Sequence, residues 1–168
     1  MQKILRPIAL SLVLLAPLVV QSQQAFDPGV AKPKVPGDYY VGAEKAVYHV
    51  TQDADEKGYL AILGNLRNHH NALVATGVTP ELKVVINGSG IRMLTLAQEL
   101  EFEANARLPG AIKEAKARGV QFEVCYNTLT GRKIKFSDLY DAKSEDIIPA
   151  GVAEVARLQR MGYAMIKP

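Results

Sequence analysis

Short β-rich apolar runs alternate with stretches of helical periodicity along most of this chain, and that alternation constrains the fold more than any other feature. Residues 45–51 are β-branched, aromatic and mostly apolar, as a strand buried on both faces should be. The polar residues Asp53–Glu56 suit a cap, and residues 59–76 carry apolar side chains at 59, 62, 63, 66, 73 and 74, a helical spacing ended by Gly77. Residues 82–86 form a second strand, followed by the tight turn 87–90 and a helical stretch over 91–106. Pro109 opens a further helix over 110–118, closed by Gly119. Residues 120–126 read as a third strand, 136–140 as a helical turn and 146–149 as a short fourth strand. A helix over 151–161 stops at Gly162, and 163–166 is the last strand. Strands joined by helices of this length require right-handed crossovers, hence an α/β domain with a parallel sheet. Sites in such sheets form beyond the carboxyl ends of the strands. Three stretches fall there: His49–Asp55, Asn87–Gly90 and Cys125–Thr130.

The first 22 residues do not belong to that pattern. Lys3 and Arg6 precede an apolar run from Ile8 to Val20, and Val20-Gln-Ser22 fits a small-residue cleavage site, the form of a secretory signal peptide. The run is shorter than the roughly 20 residues of a membrane span, so no span is expected once the leader is removed. A periplasmic or secreted protein is therefore expected. Residues 23–42 hold three prolines and two or more glycines and read as a linker. The domain itself is expected over 43–168. Without Lys3 and Arg6 the chain has 18 basic against 17 acidic residues. Such a balance offers no field for nucleic acid. One cysteine excludes an internal disulfide, so the core alone must hold the fold. Roughly 125 residues suffice for that.

Cys125 is that single thiol, near the end of the third strand. A thiolate there would be a nucleophile or a carrier of sulfur as a persulfide, favoured by positive charge, which Arg132, Lys133 and Lys135 are placed to supply. The alternative is a buried, inert cysteine that packs as a small hydrophobe. His69 and His70 are adjacent on the first helix, about 100° apart, and do not readily clasp one metal. His70 falls in the apolar arc and is expected to pack against the sheet or a partner subunit. No metal site and no cofactor are assigned. Asn65, Asn68 and Asn71 recur along one flank of that helix, which suits either hydrogen bonding or plain solvation. The turn Asn87-Gly-Ser-Gly90 opens a helix and could receive an anion, but it lacks the spacing of a phosphate loop. No motif of a metabolic enzyme is present.

Taken together, Tyr48-His-Val-Thr51, Leu66-Arg-Asn-His-His-Asn71, Val84-Val-Ile-Asn-Gly-Ser-Gly-Ile91, Phe122-Glu-Val-Cys-Tyr-Asn-Thr128, Ile148-Pro-Ala-Gly-Val152 and Gly162-Tyr-Ala-Met-Ile-Lys-Pro168 resemble the DsrE/DsrF-like family, related to sulfur-relay subunits. The resemblance implies a flavodoxin-like three-layer fold with a mainly parallel five-stranded sheet. It also implies a homo-oligomer, a trimer or hexamer, and a cysteine that carries persulfide sulfur, for which Cys125 is the one candidate. His49, Asn68, Asn71, Gly88 and Asn127 match polar positions of the family near the cleft and are its implied ligand-binding residues. The expected function is sulfane-sulfur binding or relay on Cys125, as a carrier or transferase at most, with a sulfur donor or acceptor protein as partner. The alternative is a non-catalytic, oligomeric small-ligand binding or scaffold module with a structural cysteine.

Overall fold

The structure, a computed structural model, describes residues 44–168. The expected leader and linker lie outside the described residues. Five strands form one sheet: β1 (Lys45–Val50), β2 (Glu81–Ile86), β3 (Gln121–Cys125), β4 (Ile147–Ile148) and β5 (Ala164–Ile166). Their order is β4-β3-β2-β1-β5, and every pair is parallel. The helices are α1 (Glu56–Ala75), α2 (Arg92–Glu99), α3 (Leu108–Ala117), α4 (Tyr126–Arg132) and α5 (Gly151–Arg160). The chain steps from β1 to β4 in one direction. Then α5 carries it back over the opposite face to β5, beside β1.

Alternation along the strands builds two unequal cores. Ala46, Tyr48, Val50, Leu82, Val84, Ile86, Phe122 and Val124 face α1–α3, where Tyr59, Leu66, Leu73, Met93, Leu94 and Ile112 complete the main core. On the other face Val47 and Val85 meet Val155, Leu158 and Tyr163, from α5 and the residues after it, with Ile148 of β4 packed against them. The odd positions of β2 and β3 on that face are partly polar: Lys83, Glu123 and Cys125. A single helix thus covers a face that is only partly apolar.

Local signals explain most boundaries. The Asp55 side chain accepts from the Gly58 N–H at 2.8 Å and starts α1. Glu56 Oε1 accepts from the N–H groups of Arg107 and Leu108 at 2.7 and 2.9 Å, so a side chain of α1 caps α3. Those bonds hold the Glu56 carboxyl below the usual carboxylate range. Three expectations need correction. The helix expected to run to residue 106 ends at Glu99, because the following residues have no apolar face to bury; Phe102 is 92% exposed. The third strand ends at Cys125 instead of 126. The stretch after it, expected as a loop, is the helix α4.

Candidate functional site

Cys125 ends β3 and precedes α4, with extended backbone at the N-cap position. Its residue is only 4% exposed. Burial alone pushes its thiol up, yet hydrogen bonds outweigh that cost and the thiol lies below its ordinary value of 9.0. The groups that lower it are the Thr128 hydroxyl and the backbone N–H groups of Gly151, Thr128 and Asn127, all placed to stabilise the sulfur's anion. Four donors aimed at one sulfur favour the thiolate over the thiol. The Asn127 N–H is shared with the Pro149 carbonyl at 3.3 Å.

Why the chain supplies these donors follows from the topology. The turn from β3 into α4 leaves the N–H groups of Asn127 and Thr128 without helical partners. The crossover from β4 brings Gly151, the first residue of α5, over the same point. Thr128 Oγ1 accepts from the Gly88 N–H at 2.9 Å, which frees its own proton for the sulfur. Gly88 has φ +58°, a conformation glycine adopts readily. Beneath Gly151 lies Asn87: a Cβ at 151 would sit 2.8 Å from the Asn87 Cβ. Asn87 Oδ1 in turn accepts from His49 Nε2 at 2.7 Å. His49 therefore does not touch the sulfur. It fixes Asn87, on which the first residue of α5 rests.

The residues named from sequence divide accordingly. Cys125, Gly88 and Asn127 meet at the site, and His49 supports it from one step away. Asn68 and Asn71 do not come near. Both are exposed on α1, which packs on the opposite face of the sheet and runs back from its carboxyl end. Asn71 Oδ1 accepts from Arg118 Nη1 at 3.1 Å, a bond between α1 and the end of α3. The positive charges expected to activate the thiol are not its leading influence. Burial is the largest single influence and the neighbouring hydrogen-bond donors together outweigh it, while Arg132 is tied to Ser89 Oγ at 2.9 Å. Both histidines of α1 are half-buried: His69 Nδ1 lies 3.1 Å from the Tyr48 hydroxyl, and His70 Nδ1 is buried without a hydrogen-bond partner among the described residues, in line with the buried side of the helix. Thr128, Gly151 and Asn87 were not singled out from sequence as site residues. Asn87 and Thr128 do fall in the strand-end stretches marked by the sequence, and Gly151 in the segment 148–152, but no residue type there points to a sulfur ligand.

Comparison with known proteins adds the family. The model of the DsrE/DsrF-like family matches residues 45–168. The chain belongs to the DsrE/DsrF-like family. This family is associated with sulfur relay. A solved structure of a protein of unknown function from Methanobacterium thermoautotrophicum is similar to the chain at 26% identity, with a TM-score of 0.58. The match covers 74% of this chain and 99% of that one. Among curated proteins none matches. The expected α/β fold is thereby seen in this DsrE-like chain and in its structural neighbour alike.

One nearby cavity bears on the binding alternative. At the switch point between β1 and β5, His49, Thr51, Asp53 and Lys167 border a cavity of about 70 Å³. That is well under the roughly 300 Å³ at which small-molecule pockets begin. Among the described residues no group of three or more metal-ligating side chains is assembled.

Two outcomes follow from the donor set. Thr128→Val keeps the shape but removes the hydroxyl. The thiol should then titrate about one pH unit higher. Stability should fall by about 1 kcal/mol, since the part-buried Gly88 N–H loses its acceptor. Ultraviolet absorbance of the thiolate, with Cys125→Ser as the blank, reads the first; an unshifted curve contradicts the assignment. The second concerns stability against pH. The folded thiol titrates below the unfolded one, so its contribution is complete above the unfolded value near 9.0 and fades as pH falls through the folded value. Denaturant unfolding should show the parent gaining stability over Cys125→Ser as pH rises across that interval. A flat difference would mean that the sulfur is not ionised in the fold.

Proposed function

We propose that this protein binds or relays sulfane sulfur as a persulfide on Cys125. The observation that carries the reading is the convergence of one hydroxyl and three backbone N–H groups on a single buried sulfur. Such a setting stabilises a thiolate, and it would equally stabilise the anion of a persulfide. In the step, the Cys125 thiolate attacks the outer sulfur of a donor persulfide. The donor's S–S bond breaks, its thiolate leaves, and a Cys125 persulfide remains. No oxidant is consumed, because a sulfane sulfur only changes its bearer.

The family's association with sulfur relay supports the same reading. The leader-like residues 1–22 support an exported site of action, with donor and acceptor met outside the cytoplasm. A second copy of the chain is the proposed oligomeric partner, on the strength of the family alone. Tyr126 and Val152, which directly follow Cys125 and Gly151, are 54% and 65% exposed and mark where a sulfur donor would approach. The 4% exposure of Cys125 favours a second reading, in which the residue only packs. Intact mass after incubation with a sulfane-sulfur donor separates the two. A carrier gains sulfur at Cys125, and a packed cysteine stays unmodified.

A further inference from the structure

Under α5 lies a polar cluster that the thiol chemistry above does not use. Lys83 on β2 and Glu123 on β3 face the same side of the sheet, and Lys83 Nζ meets Glu123 Oε1 at 2.6 Å. Glu154, in the first turn of α5, brings its carboxyl within hydrogen-bonding reach of that of Glu123. Glu154 is itself gripped by Arg157, through Nε at 2.8 Å and Nη2 at 2.5 Å. The remaining oxygen of Glu123, Oε2, is buried with no donor. Two carboxylates are therefore pressed together between sheet and helix. Of their two cations, the Lys83 side chain is 15% exposed and that of Arg157 is 48% exposed. Solvent screens the outer cation, so most of the compensation falls to Lys83.

This cluster and the thiol are held by the same two elements. Glu123 lies two residues before Cys125 on β3, hence on the same face and roughly 7 Å away along the strand. Glu154 lies three residues after Gly151, one turn into α5. We propose that Lys83 is a positioning residue for Cys125: by neutralising Glu123 against Glu154 it keeps the first turn of α5 seated, and with it the Gly151 N–H on the sulfur. The inference goes beyond sulfur carriage. It needs a thiolate at Cys125, whatever that thiolate carries.

Other groups face Glu123 as well. Tyr163, just before β5, is close enough to sense its charge. An open hollow of about 610 Å³ at the start of β3 brings Lys116, Lys143, Glu145 and Asp146 to its outer side. Lys116 is already paired with Asp141 and Asp146, at 3.3 and 3.8 Å. The hollow therefore adds little net charge, and Lys83 remains the cation in direct contact.

Ultraviolet titration of the Cys125 thiolate in the full chain tests the proposal, again with Cys125→Ser as the blank. Lys83→Met leaves the buried Glu123 carboxylate without its cation, beside Glu154. Repulsion would lift α5, and negative charge beside the sulfur would oppose its ionisation. Both effects should move the titration up, by about one pH unit. Lys83→Arg should titrate like the parent. The double variant Lys83→Met/Glu123→Gln removes the orphaned charge and should return to within a few tenths of a unit. A residue with only a structural role would lower stability without moving the titration. An unshifted Lys83→Met curve, or no recovery in the double variant, overturns the proposal. Should Lys83→Met fail to fold, Arg157→Gln is expected to shift the curve in the same direction by less, and no shift there overturns it too. Because no sulfur donor takes part, failure here is distinct from failure of persulfide loading.

Discussion

Cys125→Ser is expected to abolish sulfur loading completely. Serine keeps the side chain's place and its hydroxyl can accept from two of the neighbouring donors, so the fold should stay intact. Its hydroxyl, however, neither ionises in the accessible pH range nor forms a stable bond to sulfane sulfur. Intact-mass spectra after incubation with a persulfide donor should show the parent gaining sulfur and the variant gaining none. Reductant should remove the added mass. The parent's loading rate should rise with pH until the lowered thiol is fully ionised and then level off, with its half-maximum below the ordinary value of 9.0. With Cys125 only 4% exposed, loading should also be slower than that of a free thiol, since local opening at the start of α4 must precede attack. Equal mass gain in parent and variant would end the carrier reading, and no gain in either would leave Cys125 as a packing residue.

The largest effect on stability should come from Gly90→Ala. Gly90 is buried in the turn after β2, and a Cβ there would sit 2.3 Å from the Val50 carbonyl oxygen, 2.7 Å from its carbon and 3.0 Å from the Thr51 nitrogen. Each of these is backbone. The Val50 oxygen also accepts from the Asn87 N–H at 3.1 Å, so β1 cannot retreat without losing that bond. Overpacking against fixed backbone is expected to cost about 3 kcal/mol. For a domain of this size that lowers the thermal midpoint by roughly 10 °C. Gly64→Ala is the matched control. Nothing lies within 4 Å of a Cβ there, and the position is inside α1. It should stabilise by about 0.5–1 kcal/mol. If both variants melt like the parent, the close approach of this turn to β1 is not real.

Much of this architecture was readable from periodicity. β1, α1, β2, α3 and α5 carry strong apolar patterns and clear stops, and their alternation dictates a parallel sheet. What was not readable lacks a pattern. The seven residues of α4 include Asn127, Thr128, Thr130 and Gly131, all poor helix formers, and tertiary position holds them helical. The donors around the sulfur are harder still. All three residues that bear on it act through backbone N–H groups, for which residue type leaves almost no trace, and only Thr128 adds a side chain. Gly151 is 26 positions from Cys125 and meets it only because the last crossover returns there. Asn68 and Asn71 show the opposite failure. Their spacing fixes a face of α1 but not a height, and a helix rising 1.5 Å per residue puts them roughly 20 Å back from its start.

That last crossover also sets an order of events. A chain is made from its amino end, so Cys125 is present before the segment that completes its surroundings. Until Gly151 and the strand after it have been threaded into place, the sulfur has neither its helix-borne donor nor its roof. During synthesis, or during any passage of the unfolded chain, the thiol keeps ordinary reactivity and is open to oxidation. Only residues 151–168 complete the setting that lowers the thiol, so maturation and chemical competence arrive together.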